Sequence, residues 1–71
     1  MTKVSVIIPF LNEEENIPAL VVALNSFFEN EKGFNAEIIF VNDGSTDNSV
    51  KILKQQQHRS YSCKLISLTH F

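Results

Sequence analysis

Three short apolar runs divide the chain into regular segments. The first is Val4–Ile8 and ends at Pro9, the second is Ala36–Val41, and the third is Cys63–Leu68. Runs of this length, rich in β-branched residues and nearly without polar alternation, are typical of strands buried on both faces of a parallel sheet. We therefore predict three strands, with the proline ending the first.

Between the first two runs, apolar residues recur at spacings of three and four, which predicts a helix with one apolar face. Asn16 can cap its N-terminus, and Pro18 lies in the first turn, where a missing N–H costs nothing. Gly33 is expected to end the helix in the left-handed conformation. The residues of the apolar face are Ile17, Leu20, Val21, Leu24, Phe27 and Phe28.

A turn-rich segment, Asn42–Asp47, precedes a second, shorter helix. Ser45 or Thr46 is expected to cap this helix, with Asp47 in its first turn. The helix is expected to fray near residues 57–60. Its inward residues are predicted to be Val50 and Leu53 with Ile52 beside them, and its outward basic residues Lys51, Lys54 and Arg59.

The element order is strand, helix, strand, helix, strand. Such alternation predicts an α/β fold with a three-stranded parallel sheet and right-handed crossovers, which is a Rossmann-like arrangement. We find no internal repeat, linker or low-complexity stretch. Residues 1–71 are therefore predicted to form one small domain.

Composition excludes several function classes. The 71 residues include six basic and eight acidic ones, so no basic face is available for nucleic acid. Cys63 is the single cysteine, which rules out an intrachain disulfide. The apolar run Val4–Leu11 is too short to span a bilayer and lacks the flanks of a signal peptide. We expect a cytoplasmic protein.

Candidate chemistry is concentrated in the two loops that follow the first and second strands, residues 9–14 and 42–46. Ligands of open α/β sheets bind at the carboxyl ends of the strands. With only two glycines, Gly33 and Gly44, the chain has no phosphate-binding glycine motif. A nucleotide would have to be held mainly by its base and ribose, and the Asp43 carboxylate can accept hydrogen bonds from either.

These loops carry a family resemblance. Residues 4–17 are Val-Ser-Val-Ile-Ile-Pro-Phe-Leu-Asn-Glu-Glu-Glu-Asn-Ile, and residues 38–47 are Ile-Ile-Phe-Val-Asn-Asp-Gly-Ser-Thr-Asp. Together they resemble the start of family 2 inverting glycosyltransferases, whose strands end in Pro-x-Tyr-Asn-Glu and Val-Asp-Asp-Gly-Ser-x-Asp. The acidic run and Asn-Ile-Pro-Ala-Leu most resemble the branch of dolichol-phosphate mannose synthase and bactoprenol glucosyltransferases.

The resemblance implies a GT-A fold and a nucleotide-diphospho-sugar donor, either a UDP-sugar or a GDP-sugar. Carried over by position, it implies that Pro9 and Leu11 line the base pocket with Phe10 between them. Glu13 would support the nucleoside, and Asp43 would hydrogen-bond the base. The residues that shape the second loop would be Gly44 and Ser45.

Two positions depart from the family pattern. Leu11 stands where the family usually has tyrosine, so any stacking on the base comes from Phe10 or is replaced by aliphatic contact. Asn42 stands for the first aspartate of the acidic pair, which removes a charge and keeps a hydrogen-bonding side chain. Because of these two departures, the sequence does not identify which base the donor nucleotide carries.

The family's metal-binding Asp-x-Asp motif, acceptor site and catalytic base all lie later in the chain. The resemblance therefore implies an N-terminal fragment with no catalytic residue and no metal ligand of its own, and with little activity alone. The full-length form would use Mg or Mn, act on a lipid-phosphate or polysaccharide acceptor, and in some members lie at the cytoplasmic face of a membrane.

Other interpretations remain open at this point. Asp43-Gly44-Ser45 is also ordinary turn chemistry, and Asn12 is expected at least to brace its loop. A non-catalytic α/β module that forms homo-oligomers through an exposed edge strand is the main alternative function. A receiver-like phosphoacceptor domain is disfavoured. Such a domain needs acidic residues after the first strand and the phosphoacceptor aspartate after the third, whereas the loop aspartate of this chain, Asp43, follows the second strand. His58 and His70 are predicted to have no role.

Overall fold

The five predicted elements are all present. The protein's structure is a computed structural model that describes residues 2–31, 33–56, 58 and 61–68. In chain order the elements are β1 (Thr2–Phe10), α1 (Ile17–Glu29), β2 (Phe34–Asn42), α2 (Ser49–Gln55) and β3 (Ser62–Ser67). The strands are all parallel and lie in the order β1-β2-β3. The predicted α/β fold, with its β-α-β-α-β order, is confirmed.

Both helices cover the same face of the sheet. Alternate residues of β2, among them Ile38 and Phe40, point to this face and are almost fully buried. The two crossovers run in the same direction across the sheet, and right-handed connections then place both helices on one side. The buried core consists of Phe10, Ile17, Val21, Phe28, Ala36, Ile38, Phe40, Leu53 and Tyr61.

The opposite face of the sheet is not covered by either helix. Ile7 and Ile66 are exposed there, whereas Glu37 is buried beneath two lysines. The Nζ atoms of Lys3 and Lys64 lie 2.9 and 3.2 Å from its carboxylate oxygens. Hydrogen bonds from these two ammonium groups lower the pKa of Glu37. A row of charges therefore crosses all three strands, from Lys3 through Glu37 to Lys64.

Strand β1 does not end before Pro9, as the sequence predicted, but continues to Phe10. The reason lies in the position of β1 at the edge of the described sheet. The Phe10 carbonyl accepts a hydrogen bond from the Asp43 N–H, so the polar groups of Phe10 point toward β2. The backbone polar positions of Pro9 face the open edge of the sheet, where a proline removes no ladder hydrogen bond.

The ends of α1 also differ from expectation. Asn16 occupies the N-cap position, but its side chain makes no capping hydrogen bond. The helix ends at Glu29 with Asn30 as C-cap at φ −92°, so Gly33 is not its terminal residue. The Asn30 side chain donates to the Ser26 carbonyl at 3.0 Å and so satisfies part of the last turn without a left-handed residue.

The buried face of α1 is shifted around the helix relative to the prediction. Phe28 is buried, but Phe27 is 56% exposed and lies beside the Phe28 ring rather than in the core. The buried residues of α1 are Ile17, Val21, Asn25 and Phe28, so the polar Asn25 takes a buried place on the side of the helix away from Phe27. The prediction for Phe27 is therefore wrong, and the core stripe follows the other residues.

The capping prediction for α2 is wrong. The helix begins at Ser49 with Asn48 as N-cap, and Ser45 and Thr46 lie outside it. Asp47 precedes the helix and accepts the Ser49 N–H at 2.9 Å. The Ser45 hydroxyl oxygen instead accepts a hydrogen bond from the Asn12 N–H, in the loop after β1. Leu53 is buried and Val50 and Ile52 half-buried, as predicted, whereas Arg59 and His70 lie outside the described residues.

His58 was predicted to have no role, but it packs against the core. Its Nδ1 lies 2.8 Å from the Tyr61 hydroxyl, and its Nε2 lies 3.4 Å from the Leu53 carbonyl oxygen. The ring also contacts Phe40 at a centroid distance of 6.0 Å. Burial, with a smaller effect of Cys63, raises the pKa of Tyr61 to about 12, so this hydroxyl remains a neutral hydrogen-bonding group. His58 therefore joins α2 to the start of β3.

Adjacent valines in α1 test this packing. Val21 is 2% exposed and Val22 is 67% exposed. Val21→Ala should lower the free energy of unfolding by on the order of 2 kcal/mol, because it removes buried methyl groups and leaves a cavity. Val22→Ala should change it by less than about 0.5 kcal/mol. Urea denaturation followed by circular dichroism measures both, and equal effects would mean that α1 presents another face to the sheet.

Candidate functional site

The loop after β1 turns sharply at Asn12. This residue has φ 52°, in the left-handed region that asparagine tolerates better than most residues. Leu11, just before it, is 51% exposed. The Glu13 carbonyl then accepts the N–H groups of Asn16 and Ile17 at 2.9 and 3.0 Å, which begins α1. We call residues 11–16 the first loop.

The loop after β2 is anchored by Asn42, the last residue of that strand. Its side chain is buried, accepts the Ser45 N–H at 2.9 Å and donates to the Ser67 hydroxyl oxygen at 3.3 Å. Gly44 has φ 86°, a conformation that favours glycine. Asn42 therefore links β2, its own loop and the end of β3. We call residues 43–48 the second loop.

Asn12 ties the two loops together. Its Oδ1 accepts the Thr46 N–H at 2.8 Å and the Asp47 N–H at 3.3 Å. Its own N–H donates to the Ser45 hydroxyl oxygen at 3.0 Å. These three bonds join residues more than thirty positions apart in sequence. The bracing expected of Asn12 is thus a connection between loops.

A second set of bonds joins the loops on the side of α2. The Ser49 hydroxyl oxygen accepts the Glu13 N–H at 2.8 Å, and Asp47 Oδ2 accepts the Glu14 N–H at 3.3 Å. Burial raises the pKa of Asp47, but hydrogen bonds from the Ser49 hydroxyl and from backbone N–H groups outweigh this effect and leave the pKa lowered. Asp47 therefore acts as an ionised acceptor for the first loop and for the start of α2.

Glu13 faces a cleft at the end of β1. Its Oε2 accepts the Asn16 side-chain N–H at 2.7 Å, which fixes the direction of the carboxylate. The cleft has a volume of about 270 Å³ and is mostly apolar. Its lining residues are Ile8, Pro9, Phe10, Glu13, Asn16, Ile17, Leu20 and Phe40. Three of the predicted site residues thus share one concave surface.

None of the other predicted site residues lines this cleft: Leu11 lies in the first loop, and Asp43, Gly44 and Ser45 lie in the second. Asp43 is exposed and directly follows β2, and its N–H donates to the Phe10 carbonyl at 3.0 Å. Gly44 and Ser45 continue the second loop. The structure therefore brings Asp43 next to the end of β1, although Asp43 does not line the cleft.

Phe10 and Leu11 have different surroundings. Phe10 is 8% exposed, and its ring meets the Phe40 ring edge to face at a centroid distance of 6.4 Å. A ring held in the core in this way can form a wall but cannot turn outward to stack on a base. Of the two sequence-based alternatives, aliphatic contact by the exposed Leu11 fits the structure better.

Two residues that shape the site were not predicted from the sequence. Ser49 was not singled out, and Asp47 was assigned to a helix turn, yet both hold the first loop. A run of short polar side chains between β2 and α2 was the only available signal. Nothing in that run indicates that the acceptors serve N–H groups far away in sequence.

The described residues offer no metal site and no membrane span. Within them, no group of three or more His, Cys, Asp or Glu side chains is close enough to hold a metal ion. In that same part of the chain, neither helix has the length and apolar character needed to cross a bilayer.

Comparison with known proteins identifies the family. The family model described as "Glycosyl transferase family 2" matches residues 5–70. The chain belongs to this family. The predicted family and its bactoprenol branch are thereby confirmed, since similar proteins include a prophage bactoprenol glucosyl transferase homolog of Escherichia coli K12, 41% identical over 51 residues.

Two further family 2 relatives carry another name. The undecaprenyl-phosphate 4-deoxy-4-formamido-L-arabinose transferase of Proteus mirabilis is 45% identical over 56 residues, and that of Serratia proteamaculans is 39% identical over 66 residues. The three alignments cover 72%, 78% and 93% of this chain, but only 16%, 17% and 20% of the relatives. The chain thus spans about a fifth or less of their length. No solved structure matches it significantly.

Substitution of Asn12 tests the connection between the loops. Asn12→Ala removes the acceptor of two N–H groups and places alanine in a left-handed conformation, so we expect a loss of about 1–3 kcal/mol in unfolding free energy. Asn12→Asp keeps the acceptor, so its unfolding free energy should remain near that of the wild type. Asn12→Gly also loses the acceptor but avoids the strain of the left-handed conformation, so it isolates the hydrogen-bond loss. Urea denaturation distinguishes the three variants. Equal stability of the alanine and aspartate variants would contradict the hydrogen-bonding role.

Proposed function

We propose that this chain is the donor-binding part of a glycosyltransferase and recognises the nucleoside of a nucleotide-diphospho-sugar. The longer protein would transfer a hexose from a UDP-sugar or GDP-sugar to a lipid-phosphate or polysaccharide acceptor. Residues 1–71 would form one partial domain without turnover of its own. The single observation that carries the proposal is the joining of the two family loops at the carboxyl edge of a parallel sheet.

The geometry supports nucleoside recognition in three ways. The cleft supplies apolar walls from Pro9 and Phe10, and the exposed Leu11 supplies a surface for a base. Glu13, oriented by Asn16, supplies a carboxylate at the mouth. Asp43 supplies a second carboxylate at the end of β2, suited to the N–H of a base or to ribose hydroxyls.

Relatives support the acceptor class. Two of them are named for undecaprenyl phosphate and one for bactoprenol, and we extend a lipid-phosphate acceptor to the longer form of this protein. That form would then work at the cytoplasmic face of a membrane. Mg or Mn belongs to the proposal only for that longer form, because the described residues do not fit a metal and no step here depends on one.

Nucleotide titration of the 71-residue chain tests the proposal. We expect calorimetry to detect UDP or GDP binding with a Kd in the millimolar range or below. Asp43→Asn should raise the Kd at least about tenfold, because a charge-assisted hydrogen bond is lost. Glu13→Gln should also weaken binding.

Glu15→Gln is the matched control. It removes the same charge from an exposed neighbour outside the predicted site and should leave the Kd unchanged. Absence of binding by a folded wild-type sample at millimolar nucleotide would overturn the proposal. Equal losses of affinity in the Asp43 and Glu15 variants would mean that only the net charge of the protein matters, not a specific contact of Asp43.

Self-association is a second candidate function, favoured by the position of β1. This nine-residue strand pairs only with β2 among the described strands, and such an edge can pair with a second copy. Pro9 interrupts the open edge near its carboxyl end, so pairing would use residues 2–8. A homo-oligomer formed in this way would also stabilise a core this small.

Light scattering at several concentrations tests this alternative. If β1 pairs between copies, the mass should rise with concentration. Ser5→Pro should abolish the rise, because Ser5 lies an even number of residues from Pro9 and its N–H therefore points to the same open edge. Circular dichroism must show that the variant remains folded. A strictly monomeric wild type across the concentration range would eliminate the idea.

A further inference from the structure

We infer that Asp47 and Ser49 are positioning residues that hold the backbone of Glu13 and Glu14, and thereby fix where the Glu13 carboxylate is presented. The consequence for nucleotide affinity rests on the proposed function, whereas the holding role does not. Neither residue lines the cleft.

The arrangement of the bonds assigns this role. Ser49, the first residue of α2, is completely buried, and its hydroxyl accepts the Glu13 N–H while donating to Asp47 Oδ1. A hydroxyl that accepts one bond and donates another polarises both, which strengthens the chain of bonds. The Glu13 N–H is therefore linked through one serine to a carboxylate.

The two oxygens of Asp47 accept from different elements, the start of α2 and the first loop. Oδ1 accepts the N–H and hydroxyl of Ser49, and Oδ2 accepts the Glu14 N–H from the first loop. In return, the Glu14 carboxylate accepts the Asn48 N–H at 3.3 Å. Bonds thus cross between the loops in both directions, and Asp47 needs both oxygens as acceptors.

Glu13 is the residue on which these contacts converge. Its carbonyl begins α1 and its carboxylate is held by Asn16, both within the first loop. Its N–H is the group held from across the site, by Ser49. Loss of that contact would leave the Asn12 bonds in place, but it would free the Glu13 backbone to move relative to the second loop and its Asp43. The separation of the two carboxylates would then no longer be fixed.

Asp47→Asn and Ser49→Ala in the full 71-residue chain test the inference. The amide introduced at position 47 keeps only one acceptor oxygen, so the bond to Ser49 or the bond to Glu14 is lost. Ser26→Ala is the matched control, because it removes the hydroxyl of an exposed residue of α1 that belongs to neither loop. For each protein we would measure hydrogen exchange of individual amides by NMR and the Kd for UDP and GDP by calorimetry.

We expect exchange at the Glu13 and Glu14 amides to accelerate about tenfold in both variants, with Ile38 and Phe40 unchanged. The Kd should rise about tenfold, and Ser26→Ala should change neither quantity. Unchanged exchange at Glu13 and Glu14, equal acceleration throughout β2, or an unchanged Kd in a binding-competent protein would each overturn the inference. If the wild type binds no nucleotide but the exchange pattern is as expected, the holding role is supported and the proposed function fails.

If Ser49→Ala does not fold, Asp47→Asn still decides the matter. Asp47 is only half-buried, and the substitution preserves the shape of its side chain. The exchange pattern of that variant alone then supports or contradicts the holding role.

Discussion

In-register parallel pairing of β1 with β2 is the constraint on which the rest of the structure depends. It sets Phe10 opposite Asn42, so that the two strands end at the same level. The next hydrogen bond, from the Asp43 N–H to the Phe10 carbonyl, continues the ladder into the loops. A shift of one residue would turn Ile38 and Phe40 away from the helices and would also separate the loops.

Hydrogen bonding then makes one unit of the two loops. Asn12, Ser49 and Asp47 satisfy backbone N–H groups that would otherwise depend on water. Each such bond contributes only about 0.5–1.5 kcal/mol, but together they fix the geometry before any ligand arrives. Preorganisation of this kind lowers the cost of ordering a site on binding. It also explains why residues that touch no ligand belong to the functional description.

Sequence patterns were sufficient to predict the fold, because the spacing of apolar residues indicates which side chains are buried. The apolar runs located β1, β2 and β3 to within two residues, and the spacing of Ile17, Val21 and Phe28 located α1. They failed where a choice depended on distant contacts. Phe27 fits the helical spacing but is exposed, because the buried face of α1 is shifted toward Asn25. Ser45 has the chemistry of a cap but bonds to Asn12.

For the site, sequence motifs indicated which loops matter but not how they are held. Pro9, Phe10 and Glu13 do share a cleft, whereas Leu11, which the resemblance groups with them, does not line it. The roles of Asn42 and Ser49 could not be predicted, because they depend on burial and on partners 25 and 36 positions away. Contact of the predicted residues with a nucleotide remains a prediction.

The most direct test of the account is NMR mapping of nucleotide contact. On addition of UDP or GDP, we predict that the amide signals of both loops shift together. The signals are those of Leu11, Asn12 and Glu13 in the first loop and of Asp43, Gly44 and Ser45 in the second. The smaller cavity between α2 and β3, lined by His58 and Cys63, should be unaffected. Shifts confined to that cavity, or to only one of the two loops, would contradict the claim that the loops form a single nucleotide site.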